Sequence, residues 1–129
     1  MRLLVPSGLG DVVDRYTILA IKRARLQGEA CVHATHEQEA LVAAWDAAGL
    51  PPLAELPEAR ALARVNETLW DVEERLRLRE SASDFGAAFV EDARAVYHHN
   101  DHRAALKRTL NERLGSEFVE QKSYAKRTG

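Results

Sequence analysis

Between Pro57 and Leu114 one short stretch, Ser81-Ala82-Ser83-Asp84, interrupts an otherwise helical pattern. Before it, PEARALARVNETLWDVEERLRLRE carries Leu62, Val65, Leu69, Val72 and Leu76 on one face, and Pro57 suits a first helical position. After it, the pattern runs from about Phe85 to Leu114 and stops at Gly115, placed to end a helix. A break this short makes the two helices an antiparallel hairpin. The second arm is on the order of 45 Å long at ~1.5 Å per residue. An arm of that length overhangs its partners, is covered by the tail, or packs on a second subunit. A homodimer is therefore expected.

The rest of the chain must supply what covers the hairpin. Residues 2–5, RLLV, read as a short extended segment closed by Pro6-Ser7-Gly8. Gly10-Asp11 opens a helix, with Asp11 where the helix dipole favours an anion, and Gly28 is read as its stop. Apolar residues lie almost all round this helix, which makes it central. Thr35-His36-Glu37-Gln38 has the form of a capping box and is read as the start of a second helix ending at Gly49. Leu50-Pro51-Pro52-Leu53 is a stiff linker, and the tail SEFVEQKSYAKRTG is expected to dock through Phe118, Val119 and Tyr124. The expectation is one all-α domain over residues 1–129. It is a four-helix antiparallel bundle built on a long helical hairpin, with a short extended N-terminal segment and a docked C-terminal tail.

Composition removes several function classes. A chain of 129 residues builds a core without staples. Its net charge of −2 carries no nucleic-acid signature. No apolar run approaches the ~18 residues of a membrane span, and the apolar stretch before Pro6 is too short for a signal peptide. The single Cys31 has no internal partner, which suits a reducing cytoplasm and a buried, inert thiol.

The informative irregularity lies in the last helix. Stepping by four and three gives Val96, Asn100, Arg103, Lys107, Leu110 and Leu114: apolar ends with a polar middle. Counting outward from the hairpin break brings Asn66 opposite Asn100 and leaves Glu73 too far along to meet Arg103. Partners for Arg103 and Lys107 must then come from Asp11 or Asp14, or from Glu117 or Glu120. The candidate inward set is Asp14, Lys22, Asn66, Glu73, Asn100, Arg103 and Lys107, with three cations and two anions. Buried charges are paired or wait for a ligand, and the arginine fork suits a carboxylate or phosphate. The other reading is an ion-pair network that fixes helix register.

Several ordered blocks carry a resemblance: GDVVDRYTILAIK, VNETLWDVE, ARAVYHHNDHRAALK and LGSEFVEQKSY. They resemble a bacterial family of small helical proteins catalogued as a domain of unknown function, over most of the chain except roughly residues 29–60. The resemblance implies that Asp14, Lys22, Asn66, Trp70, Glu73, Tyr97, Asn100, Arg103, Lys107 and the tail from Ser116 to Tyr124 matter. It also implies a link to envelope glycans, since members occur beside tetratricopeptide or glycosyltransferase-like segments. It implies no activity.

Other constellations are weaker. His98 and His102 are spaced to share a zinc ion but lie opposite the polar stripe, and no metal is expected there or at His33 and His36. Arg75, Arg77 and Arg79 alternate with acids and read as local pairs. Ser7-Gly8-Leu9-Gly10 reads as a turn, with phosphate binding at the following helix as the alternative. Trp45 and Trp70 read as core anchors. No cofactor or nucleophile motif is present.

The functional expectation is a non-catalytic binding or adaptor protein whose polar seam takes an anionic small molecule or a partner. The alternatives are a small helical enzyme of chorismate-mutase type acting on a carboxylated substrate, and a purely structural homo-oligomer. No catalytic residue is assigned.

Overall fold

The computed structural model describes residues 1–119. Four helices run α1 (Leu9–Arg25), α2 (Gly28–Ala47), α3 (Pro57–Ser81) and α4 (Ala87–Leu114), with a 3-10 turn at Leu53–Glu55 before α3. There is no strand among the described residues, and the helices pack as an all-α bundle. The N-terminal segment is outside any helix, and residues 1–7 are exposed.

The hairpin forms as expected. Pro57 is the first residue of α3, and Gly115 closes α4 in the left-handed conformation at φ 68°. Arg113 forks onto Glu58 at one end of the hairpin, and Arg75 onto Asp92 near the other, so α3 and α4 are antiparallel along their length. The turn is wider than Ser81–Asp84, because α4 begins only at Ala87. Gly86 holds its N-cap, and the Gly86 N–H donates to Asp84 Oδ1 at 3.3 Å. The wider turn slides α4 relative to α3, which matters for Asn66 below.

Helix α1 is central. It touches α2 on one side and both arms of the hairpin on the other. Of its six buried residues, Gly10, Val13, Asp14, Thr17 and Ile21 share one face by their spacing, and Leu19 is buried off that face. The core runs from Val13 and Trp45 through Leu53, Leu56, Ala59 and Leu62 to Leu110. Trp45 anchors the linker, its indole N–H donating to the Pro51 carbonyl at 2.7 Å. A buried indole has its one donor satisfied this way.

Two boundaries differ from the sequence reading. Gly28 does not end α1, which stops at Arg25 with Leu26 extended; Gly28, at φ +64°, opens α2 instead. Its freedom at positive φ lets the chain reverse within Leu26–Gln27. Thr35 is no N-cap. It lies inside α2, about two turns in, and its hydroxyl donates back to the Cys31 carbonyl at 2.9 Å. Nothing between Gly28 and Thr35 breaks a helix once Gly28 has supplied the turn. Cys31 is half-buried rather than fully buried. Helix α2 runs antiparallel to α1, tied by Arg15–Glu37 and by Gln38, which donates to the Tyr16 carbonyl and accepts from Arg23.

The helices end at different heights. Arg25, in the last turn of α1, pairs with Asp71, and α3 then continues to Ser81. Ten residues of helix are ~15 Å, so the closed end of the hairpin projects past α1.

Candidate functional site

Helix α1 enters the fold against α4 with no side chain between the backbones. A Cβ on Gly10 would overlap the Lys107 carbonyl, and one on Gly8 would sit 2.8 Å from the Phe118 carbonyl oxygen. The Gly8 N-cap has no capping side chain of its own, so the first N–H groups of α1 need acceptors from elsewhere. Asn111 Oδ1 accepts from the Gly10 N–H at 2.7 Å, and Ser116 Oγ accepts from the Leu9 N–H at 3.0 Å. These groups occupy two of the amide donors that the phosphate alternative required.

One turn further on, the polar seam begins. Lys107 Nζ lies 2.7 Å from Asp11 Oδ1. Asp14 is buried, 5% exposed, on the face of α1 between the hairpin arms. Arg103 grips it with both prongs: Nε donates to Oδ1 at 2.8 Å and Nη2 to Oδ2. Asn66, equally buried, donates from Nδ2 to Asp14 Oδ1 and to Thr17 Oγ1, each at 2.9 Å. The Thr17 hydroxyl in turn donates to the Asp14 carbonyl at 2.7 Å. Three helices are thus tied through one carboxylate, and both of its oxygens accept charge-assisted hydrogen bonds.

The sequence-derived set divides in two. Asp14, Asn66, Arg103 and Lys107 come together, with Asp11 added as a partner. Lys22, Trp70, Glu73, Tyr97 and Asn100 are not part of that network in the contacts described. Asn66 does not bond Asn100 across the hairpin. The wider turn shifts the level, and Asn66 is turned toward α1. Glu73 is exposed, two residues beyond Asp71, which pairs with Arg25 at the end of α1. Lys22 is half-buried in the last turn of α1, and no hydrogen bond or ion pair engages its ammonium group among the described residues. Trp70 is half-buried rather than a core anchor; its N–H donates to Glu74 at 3.0 Å, and the Arg25 guanidinium lies 5.9 Å from its ring. Tyr97 is 63% exposed. Asn100 is half-buried, one turn from Arg103. Glu117 is exposed, while Glu120 and Tyr124 lie outside the described residues.

Among the described residues, the charge surplus read from the sequence vanishes in this arrangement. Asp11 joins the seam while Lys22 and Glu73 stay outside it, leaving Arg103 and Lys107 opposite Asp14 and Asp11. Thr17 and Asn111 went unassigned in the sequence, and Ser116 entered only as the start of the tail that the resemblance marks. The signal for the last two was the bare Gly8-Leu9-Gly10 entry to α1, which lacks a cap of its own. Among the described residues, no group of acidic, histidine or cysteine side chains is arranged to hold a metal ion, and no helix is long and apolar enough to cross a membrane.

The chain belongs to DUF6165, a family of unknown function whose sequence pattern matches residues 4–128. Neither a curated protein nor a solved structure matches the chain.

Proposed function

We propose that the chain is a non-catalytic binding protein, an adaptor. In this reading the polar seam is a clasp that holds α1 on the hairpin, and a partner is engaged by the more open side chains near the far end of α1: Lys22, Trp70, Glu73, Tyr97 and Asn100. The observation that carries it is the fork of Arg103 on buried Asp14, beside the Lys107–Asp11 pair. An anion entering the seam would have to displace a buried carboxylate from its cation. Uncoupling such a pair costs roughly 3–5 kcal/mol, two or more decades of affinity. The anionic small molecule is therefore the less supported ligand. The enzyme alternative loses support for the same reason, since it needs Arg103 aimed at a substrate carboxylate and Glu73 within the seam. A cytoplasmic setting rests on the single half-buried Cys31. The envelope-glycan link rests on resemblance alone. A homodimer belongs to this reading because the long hairpin projects past α1.

The test is a thermal-shift screen of the full chain against organic acids, sugar phosphates and nucleotides, with Arg103→Ala and Lys107→Met as controls. The adaptor reading expects no compound to stabilise the wild type selectively. A compound that raises its Tm by several degrees, and leaves both variants unmoved, would overturn it in favour of an anion site.

A further inference from the structure

After α4 the chain turns back along one flank of α1. Gly115, in the left-handed conformation, reverses its direction. Ser116 Oγ accepts from the Leu9 N–H and donates to the Phe118 carbonyl at 2.7 Å. A Cβ on Gly8 would lie 2.8 Å from that carbonyl oxygen and 3.1 Å from Asp11 Oδ2. Phe118 has therefore passed the entry of α1 on its Asp11 side. Asp11, Ile18 and Lys22 follow at steps of seven and four and share a face of α1. Lys107, Asn100 and Val96 do the same on α4. The two helices are antiparallel, with Gly10 against Lys107 and Asp14 against Arg103. The Asp11–Lys107 contact is thus the first rung of a groove that continues to Ile18 beside Asn100 and to Lys22 beside Val96. All of these residues are half-buried.

We propose that the segment following Val119, Glu120-Gln121-Lys122-Ser123-Tyr124, is the occupant of this groove and lies along it as an extended strap. Length fits. Lys22 is ~21 Å along α1 from Gly8 at ~1.5 Å per residue, and an extended chain carries Tyr124 ~20 Å from Phe118 at ~3.3 Å per residue. Spacing fits as well. Alternate residues of an extended chain share a side, so Glu120, Lys122 and Tyr124 face one way at intervals of ~6.6 Å. Tyr97, Asp101 and Arg108 share the flank of α4 next to the Lys107 stripe, and one helical turn of four residues is ~6 Å. Tyr124 then comes level with Tyr97 and Lys22, Lys122 with Asp101, and Glu120 within side-chain reach of Lys107 and Arg108. Acid meets base at both charged positions of the strap. The family's sequence pattern runs on through these residues to 128. One consequence rests on the adaptor reading: the strap covers Lys22, Tyr97 and Asn100, and a partner must displace it to reach them.

Nuclear magnetic resonance on the full, isotope-labelled chain tests this. The expected result is nuclear Overhauser contacts from the Tyr124 ring to the side chains of Lys22 and Val96, with backbone order parameters above ~0.6 from Gln121 to Tyr124. Lys122→Glu should lower those order parameters below ~0.6 and leave the helices unchanged. Asp101→Lys added to it should restore them, because the pair is then reversed rather than lost. Order parameters below ~0.6 in the wild type would overturn the strap. So would Tyr124 contacts on any other surface, a strap indifferent to Lys122→Glu, or a double variant no more ordered than the single one. None of these outcomes touches the adaptor reading, which the thermal-shift screen decides separately.

Discussion

The two ends of the hairpin are held by different physics. At the open end, α1 lies backbone-to-backbone on α4 at Gly10, and Asp14 is enclosed by donors from α3 and α4. At the closed end, Arg75 and Arg79 meet Asp92 and Asp84 on the surface, and the aromatic pair of Phe85 and Phe89 is partly in water. Both ends carry arginine–aspartate pairs, yet the Asp14–Arg103 pair is the more deeply enclosed, at 6% and 30% side-chain exposure against 14% and 50% for Asp92 and Arg75. A buried ion pair is costly to break, whereas an exposed one contributes little. Counting salt bridges would rate the two ends alike, and burial separates them.

That contrast can be broken experimentally. Arg103→Ala should have the largest effect, since it leaves Asp14 buried without its cation, at a cost of roughly 3–5 kcal/mol in urea unfolding. An Asp14→Asn, Arg103→Met double variant should recover part of that loss, because no charge then remains buried. Gly10→Ala should cost about 1–3 kcal/mol by the same assay, because the methyl group meets main chain that cannot rotate away. Asn111→Ala should cost about 1 kcal/mol, and hydrogen exchange should report it as faster exchange at the Gly10 amide. Arg75→Gln, at the closed end, should leave the urea midpoint close to wild type.

A smaller effect sharpens the comparison through pH. The hydrogen-bonded fork from Arg113 holds the Glu58 carboxyl below its ordinary range. A carboxylate favoured in the fold stabilises it at pH above the unfolded value, and that contribution is lost as pH falls through the lowered folded value. The Tm gap between wild type and Glu58→Gln should therefore be open at neutral pH and close below about pH 4. A gap unchanged with pH would mean that the glutamate acts by packing alone.

Much of the architecture was legible because local chemistry and tertiary need agreed. Pro57 and Gly115 mark helix ends in any context, and the apolar stripe from Leu62 to Val72 has one face to bury. The polar stripe was legible as an anomaly, and Asp11 and Asp14 were legible as partners for Lys107 and Arg103. What could not be read depended on neighbours distant in sequence. Thr35-His36-Glu37-Gln38 has the letters of a cap, but Gly28 had already turned the chain. Asn66 was set against Asn100 by counting from a turn whose true width, out to Ala87, no local signal reveals. Glu73 lies past Asp71, the residue that meets the last turn of α1, and is exposed. Helix phase is a local property, whereas the level at which a neighbouring helix stops is a property of the whole fold.

The capping of α1 has a consequence for the order of assembly. The acceptors for its first amides lie 101 and 107 residues downstream, near the end of the last helix. A ribosome releasing this protein from its N-terminus therefore delivers the opening helix long before the groups that seal it. Until Asn111 and Ser116 emerge, that helix has an unfinished beginning, and any nascent chain cut short of them keeps it so.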